Sequence, residues 1–571
     1  MKWFGILWFI FSVAICLGVA AQGWWWETIL LVLFALVLSV FGLLWWRSTQ
    51  QLRKGWIRYG VLLVLLLFFV GESAFLISYE LRAIHRWKAC RARWEARGIS
   101  FRREDYVPPE VPDEQNFAMI PCLVRYYGPE KAGALESDYP SIKTLRSLER
   151  SRTEICGSLR QPNPKEMVFR FLRSSQESSQ TANTNLISSS ISFLKAAERF
   201  LEVTKDLEEL LEELWSERNR PFVRFPVNYE SEDPAAIELS HLGIVRNITI
   251  GLTDRALVEL ALGQSERPFR VVSLIFKFAE GLQKEPFLIS HLVRLAVISK
   301  AVGVIHSGLE QGVWTEDQLD QIERWLSQLN LVCDFQRAMV SEVVNLYIAE
   351  IDYIQTHRKH FQRAFGGKAY WLNYYIMIAP SACFENAKTE GVNIFFTYYF
   401  PTIDCRQKRI DPKAVDAASQ KISQLFAVEK ERILEYPLTG LINGSVITKL
   451  LENSLLAPIS GPLIKRVLYS QTLVNEARVA IALERYRRKH GQYPAVLNAL
   501  VPEFLDAVPK DWIDGNPLRY RRVDDRFVLY SIGWNAQDDG GQPGWRTVGS
   551  SVHFDYDKGD WVWTYCSDGG D

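Results

Sequence analysis

A chain of 571 residues is too long for one hydrophobic core, and length alone predicts about three domains. Its 66 basic and 66 acidic residues balance, so no net field draws the whole chain to nucleic acid. The eight cysteines (Cys16, Cys90, Cys122, Cys156, Cys333, Cys383, Cys405, Cys566) are scattered without a CxxC pair, which argues against a zinc ribbon, a redox dithiol and a dense disulfide framework.

Three apolar runs come first, Trp3 to Ala21, Ile29 to Trp46 and Ile57 to Tyr79. Each approaches the ~20 residues that cross ~30 Å of hydrocarbon as a helix. Trp24, Trp25, Trp26, Trp45 and Trp46 flank the second run as interfacial aromatics do. Residues 1–80 are therefore predicted to be a transmembrane region of three spans whose partner is the lipid bilayer. The first run is alternatively a signal peptide, with Lys2 ahead of it and Val19-Ala20-Ala21 as a small-residue cleavage site.

Arg47, Arg53, Lys54 and Arg58 make the loop before the third run basic. The positive-inside rule then places that loop in the cytoplasm and everything after Tyr79 outside it. Six further basic residues, Arg82, Arg86, Lys88, Arg91, Arg93 and Arg97, oppose this orientation unless they extend the third helix along anionic headgroups. Glu72, inside the third run, is predicted to reach headgroups or water about two turns away.

Residues 81–130 read as a basic helix and a Pro-rich spacer, Val107-Pro108-Pro109-Glu110-Val111-Pro112. Consecutive prolines fix φ and disfavour helix in the residues before them. Residues 131–464 read as a large α-helical domain, with a polar loop at Ser174 to Thr184. Apolar residues recur there at helical spacing, as in Leu194, Ala197, Phe200 and Leu201, and again in Leu288, Leu292 and Leu295. Gly263, Pro268, Gly281 and Pro286 punctuate the runs, which predicts stacked antiparallel helices, solenoid-like or in an irregular bundle.

No GxSxG elbow, phosphate loop or dinucleotide fingerprint occurs. Glu350, His357 and His360 share a helix face, but their spacing is neither the HExxH of zinc enzymes nor the ExxH of di-iron bundles. A polar helix end accounts for them. His291 follows an apolar stretch and is predicted to be a core histidine.

Residues 465–571 are predicted to be a small α+β domain. Leu473 to His490 patterns as an amphipathic helix with Arg485, Arg487, Arg488 and Lys489 at its C-terminal end and Gly491 as its stop. After it come Gly491-Gln492-Tyr493-Pro494, Asp514-Gly515-Asn516-Pro517-Leu518-Arg519-Tyr520, the strand-like Phe527 to Ser531, a polar loop Gly533 to Gly541, and the strand Asp560-Trp561-Val562-Trp563. This order resembles the extracytoplasmic domain of the major pseudopilin of type II secretion, over about the last hundred residues. The chain departs from that family in placing this helix hundreds of residues from any apolar run.

Trp94 to Gly98, Val111 to Ala118, Glu285 to Arg294 and Gly533 to Gly541 also resemble a group of bacterial multi-span membrane proteins with a helical middle and a pseudopilin-like end. That resemblance implies a bacterial inner-membrane location and this architecture, and carries no activity with it. The pseudopilin resemblance further implies a structural calcium ion. Asn535 occupies the position of that family's metal-facing Asp, and Asp557 and Asp560 fall in its second acidic stretch. Asp538 and Asp539 share the loop with Asn535 and add carboxylate oxygens of the kind Ca2+ takes.

The expected function is an envelope-anchored scaffold or assembly protein binding other envelope proteins, with no nucleic-acid partner. The alternatives are an envelope hydrolase whose site forms only in three dimensions and a component related to type II secretion or pilus-like systems.

Overall fold

The structure, a computed structural model, describes residues 55–127, 193–358, 379–435, 461–548 and 551–563. The first two apolar runs, the Ser174 to Thr184 loop and His360 lie outside the described residues. What is described is mainly helical with a small sheet component.

Helix α1, Gly55–Glu95, is continuous over 41 residues, about 62 Å at 1.5 Å per residue. It contains the third apolar run and the basic stretch as far as Arg93 without a break. Ala83, Cys90 and Trp94 recur at helical spacing on one face and are buried. That face packs on a helix distant in sequence, Ser381–Ile394.

After Gly98 the chain runs extended through the proline segment, as predicted, but the segment is no free spacer. Asn116 Nδ2 donates to Arg224 O (2.7 Å), and Asn116 Oδ1 accepts the amides of Ala118 (3.1 Å) and Arg224 (2.9 Å). The Phe117 amide donates to Phe222 O at 2.7 Å. Phe117, Ala118, Ile120 and Leu123 are buried, the last in helix α2, Pro121–Tyr127. One polar side chain thus satisfies three backbone groups, and the apolar residues behind it enter the core.

Helices α3 (Phe193–Val203) and α4 (Lys205–Ser216) are short and amphipathic. They lean on α5 (Ser240–Ala261), which ends at Gly263, and on α6 (Glu266–Gln283). Pro268 sits in the first turn of α6, where a missing N–H is harmless, so it starts this helix instead of breaking one. Next come α7 (Leu288–Glu310), α8 (Glu316–Ser327), begun by a Thr315–Gln318 capping box, and α9 (Leu331–Glu342). A π-helical turn, Val343–Ile348, joins α9 to α10 (Ala349–Thr356).

Helix α11, Ser381–Ile394, receives α1, and a second π turn, Phe395–Tyr399, follows it. A two-residue ladder, β1 (Ile403–Asp404) with β2 (Arg409–Ile410), leads into α12 (Pro412–Glu435). Helix α13, Gly461–His490, is longer than the predicted 473–490 and ends at Gly491, whose φ of +78° favours glycine.

The sheet order is β3 (Arg519–Val523), β4 (Arg526–Ser531), β7 (Trp561–Trp563), all antiparallel. Beside it stands a hairpin of β5 (Pro543–Val548) and β6 (Ser551–Gly559). Phe527, Leu529 and Ser531 alternate inward along β4, as a half-buried strand requires.

Two findings revise the sequence reading of this architecture. Helix α13 is not amphipathic, because Val474, Ala477, Val479, Ala480, Ile481, Ala482 and Leu483 are all buried. It packs against α7, α8, α9 and α12 on some sides and against β4 and β7 on another. A single hydrophobic cluster consequently runs from Cys90 to Trp563, with no break in packing at residue 465. Likewise α7 is surrounded by α5, α6, α9 and α13, the last from a distant part of the chain. A solenoid repeat touches only its neighbours, so this is an irregular bundle. By length and composition α7 is also the one candidate membrane span among the described residues, and it lies mostly buried in the bundle.

The contact of the first π turn with α11 depends on one glycine. Tyr347, in the first π turn, donates to Ala387 O (2.9 Å), and its ring fills a notch where a Cβ on Gly391 would meet Tyr347 Oη at 2.2 Å and Cζ at 2.3 Å. Gly391→Ala is expected to destabilise the protein by about 1–3 kcal/mol, the usual range for overpacking. Chemical unfolding of Gly391→Ala alone and combined with Tyr347→Ala checks this. The second change should recover part of the first, and simple additivity of two losses would contradict the packing described.

Candidate functional site

The pairing of β4 with β7 brings the Gly533 to Gly541 loop beside the turn before Trp561. Asp560 is fully buried there. Its Oδ1 accepts the Asp539 amide (3.3 Å) and its Oδ2 the Gly541 amide (2.6 Å). Asn535 Nδ2 donates to Asp539 Oδ2 at 2.8 Å, and Asp538 Oδ1 accepts from Tyr530 Oη (2.9 Å) and the Gly540 amide (3.0 Å). Four of the five predicted ligands therefore meet at one end of the sheet. Asp557 does not join them, because its carboxylate is paired with Lys465 of α13.

As placed, these groups do not fit the calcium the resemblance implies. Both Asp560 oxygens and Asp538 Oδ1 accept from amides and a phenol, Asp538 Oδ2 lies 4.0 Å from Arg519 Nε, and no group of three or more His, Cys, Asp or Glu among the described residues is arranged to hold a metal. What the arrangement does is fasten the loop: a buried carboxylate accepting two backbone N–H groups fixes both the loop and the strand entry. Burial raises the Asp560 pKa, the two amides oppose that, and Asp539 and Asp538 add to it.

Glu350 and His357 are likewise separated. Glu350 is buried, and burial together with the charge of Asp233 pushes its carboxyl up to about 7, against the opposing hydrogen bond from the Ala235 amide. His357 stacks on Tyr353 (4.5 Å between centroids) and lies 3.8 Å from the exposed Glu232. These are the contacts of a polar helix end.

A further buried polar set lies at the N-terminus of α7. Helix starts leave amides without intrahelical partners, and side chains of α9 supply them. Glu342 Oε2 accepts the Leu288 amide (2.9 Å), and Ser341 Oγ donates to Pro286 O (2.6 Å). Burial pushes Glu342 up to about 7 in spite of the Leu288 amide.

Glu285, just before this point, has Oε1 2.8 Å from His241 Nε2, both side chains sealed from solvent. The ring is not aligned for a hydrogen bond, so the contact is one of proximity. Phe225 stacks on His241 at 4.7 Å, and Tyr229 on Phe287 at 6.1 Å. His291 is a core histidine as predicted, held well below its usual pKa by burial and by the charge of Arg294. Arg294 Nε donates to Ala279 O (3.0 Å) and its Nη1 pairs with Asp334 (2.8 Å).

On α13, Glu476 is fully buried with neither carboxyl oxygen hydrogen-bonded, and burial, reinforced by Asp511, pushes it well above the carboxylate range. Chemically these carboxyls are proton-binding groups enclosed by helix packing.

The sequence reading also missed a covalent feature. Cys333 of α9 and Cys405 of the β1–β2 turn form a disulfide between residues 72 apart in sequence. Cys90 and Cys122 are buried free thiols, and Cys383 is buried. No sequence spacing marks the pair, since its two halves meet only through packing.

Compared with protein-family models, curated proteins and solved structures, the chain matches none. The resemblances to pseudopilins and to multi-span membrane proteins therefore rest on their motifs alone.

The buried carboxyls give a definite pH dependence. A carboxyl raised to about 7 in the fold, against ~4.3 in the unfolded chain, contributes stability that is complete below the lower value and lost as pH rises through the higher one. For Glu342 this amounts to roughly 3–4 kcal/mol. Glu342→Gln keeps an acceptor for the Leu288 amide and removes the ionisation. In urea unfolding between pH 4.5 and 8, the variant should gain on the wild type as pH rises. Parallel pH profiles would show that Glu342 ionises in the fold as freely as in water.

Proposed function

We propose that this chain is an envelope scaffold anchored in the bacterial inner membrane, its helical body held outside the cytoplasm to bind other envelope proteins. One observation carries the reading. In the N-terminal half of α1, Leu63, Leu66, Leu67, Val70, Phe75 and Ile77 are each more than half exposed, while its C-terminal half is docked on the body. Moving such a side chain from water to hydrocarbon is worth roughly 1.5–3 kcal/mol, and a bilayer offers that to all of them at once. The docked half would make the anchor a rigid extension of the body. The two earlier apolar runs would then be further spans.

The Cys333–Cys405 disulfide supports the outward orientation, since disulfides persist in oxidising compartments and are rare in the cytosol. The basic loop before residue 59 points the same way. The hydrolase alternative draws on the Asp233–Glu350 pair, whose Glu350 lies in the pKa range of a general acid.

The proposal is tested by fusing alkaline phosphatase after Asp571 and washing membranes with carbonate. The fusion should be enzymatically active, resist extraction, and carry the Cys333–Cys405 bond when peptides are mapped without reductant. An inactive fusion with both thiols free would place the body in the cytoplasm, and full extraction would remove the anchor.

A further inference from the structure

The docking of α1 on α11 fixes how α1 is rotated, and so fixes which of its side chains lie beside the body and which face away. With Ala83, Cys90 and Trp94 turned to the body, Arg82, Arg86 and Arg93 fall within about 40° of arc at 3.6 residues per turn, all exposed. Arg82 and Arg86 come first, beginning about 4.5 Å beyond Tyr79, where the apolar run ends.

The Arg82 guanidinium is bent back toward that run. Its Nε donates to Ser78 O (3.0 Å) and its Nη2 to Ser78 Oγ (2.7 Å). Arg86 stands one turn on, and among the described residues neither arginine is in an ion pair. Glu80, the acid nearest in sequence, is faced by Arg358 from the body. Further along, Arg97 caps the Trp94 ring at 4.5 Å and Arg91 pairs with Glu95 at 2.7 Å, so these two belong to the body's own packing and surface.

We propose that Arg82 and Arg86 form a binding site for the phosphate of an anionic phospholipid headgroup, at the point where α1 leaves the bilayer. The proposal rests on the membrane reading of α1 and holds whichever side of the membrane the body occupies. Guanidinium groups one turn apart bracket a phosphate with planar N–H forks. Long cationic side chains at a helix end reach the headgroup layer while their stems stay apolar. The bend of Arg82 toward Ser78 sets its charge at that depth, and the rotation imposed by the body keeps Arg86 beside it.

The test uses the full chain in lipid nanodiscs, either wholly phosphatidylcholine or containing phosphatidylglycerol, and follows thermal unfolding. Phosphatidylglycerol should raise the melting temperature by a few degrees. Arg82→Gln/Arg86→Gln should abolish that gain, Arg82→Lys/Arg86→Lys should keep part of it, and inorganic phosphate added to phosphatidylcholine discs should not reproduce it. No gain with phosphatidylglycerol, an undiminished gain in the double Gln variant, or an equal gain from inorganic phosphate would overturn the site. Failure of the chain to enter discs at all would sink the membrane reading instead.

Discussion

Helix α1 is one rigid rod with two incompatible surfaces, and the burial of Ala83, Cys90 and Trp94 against α11 is what joins them. Asn386 Nδ2 donates to Tyr79 Oη at 3.0 Å, Cys90 Sγ donates to Asn393 Oδ1 at 3.4 Å, and Trp94 stacks on Phe396 at 5.0 Å. Lys388 lies over the Trp87 ring at 5.5 Å and bridges Asp352 of α10 and Glu385, both at 2.8 Å. These contacts, from Tyr79 to Trp94, occupy about four turns of α1. The part of α1 from Gly55 to Tyr79 continues the same helix away from this contact, with Leu63, Leu66, Leu67, Val70, Phe75 and Ile77 exposed.

The contact is propagated inward by packing. Helix α11 meets the first π turn through Tyr347 and Gly391, and that turn is bracketed by Glu342 and Glu350, each anchored to a backbone amide of another segment. A π turn adds a residue to a helical run and rotates the succeeding turns about the axis. Here it lets α9 cap α7 while α10 turns its side chains to α11 and the Asp233 loop. The disulfide from Cys333 ties the start of α9 to the β1–β2 turn, and Gln336 on the next turn donates to Phe400 O (3.2 Å) and Ile403 O (2.9 Å). Beyond α9, helix α13 carries the same core into the sheet, where Tyr469 meets Trp561 at 5.3 Å.

Local pattern disclosed the features that local physics decides. The 3.6-residue periodicity of 193–310, the stop at Gly491, the β4 alternation and the core placement of His291 were legible because each depends on neighbouring residues. Features set by tertiary packing were not. Helix α13 has Arg485 to Lys489 at one end and alanines along its length, which patterns as amphipathic until four helices and a sheet are wrapped around it. Asn116 reads as a loop residue, yet it holds three backbone groups of two segments 108 residues apart. Strand pairing sets Asn535, Asp538, Asp539 and Asp560 at one end of the sheet, while Asp557 pairs with Lys465. Their hydrogen-bond partners, which decide what the carboxylates do, are amides and a phenol that no sequence motif specifies.

The most direct measurement of the central claim is a cross-link across the α1–α11 contact in intact membranes. Cys90 is native, and its sulfur lies 3.4 Å from the Asn393 side-chain oxygen. Asn393→Cys in the full chain, oxidised in isolated membranes and read by peptide mapping, should join Cys90 to the introduced thiol in nearly all molecules of the membrane fraction. Thiols that stay free there, while the native Cys333–Cys405 bond is intact, would mean that α1 is not docked on the body and that the proposed anchor is not rigid.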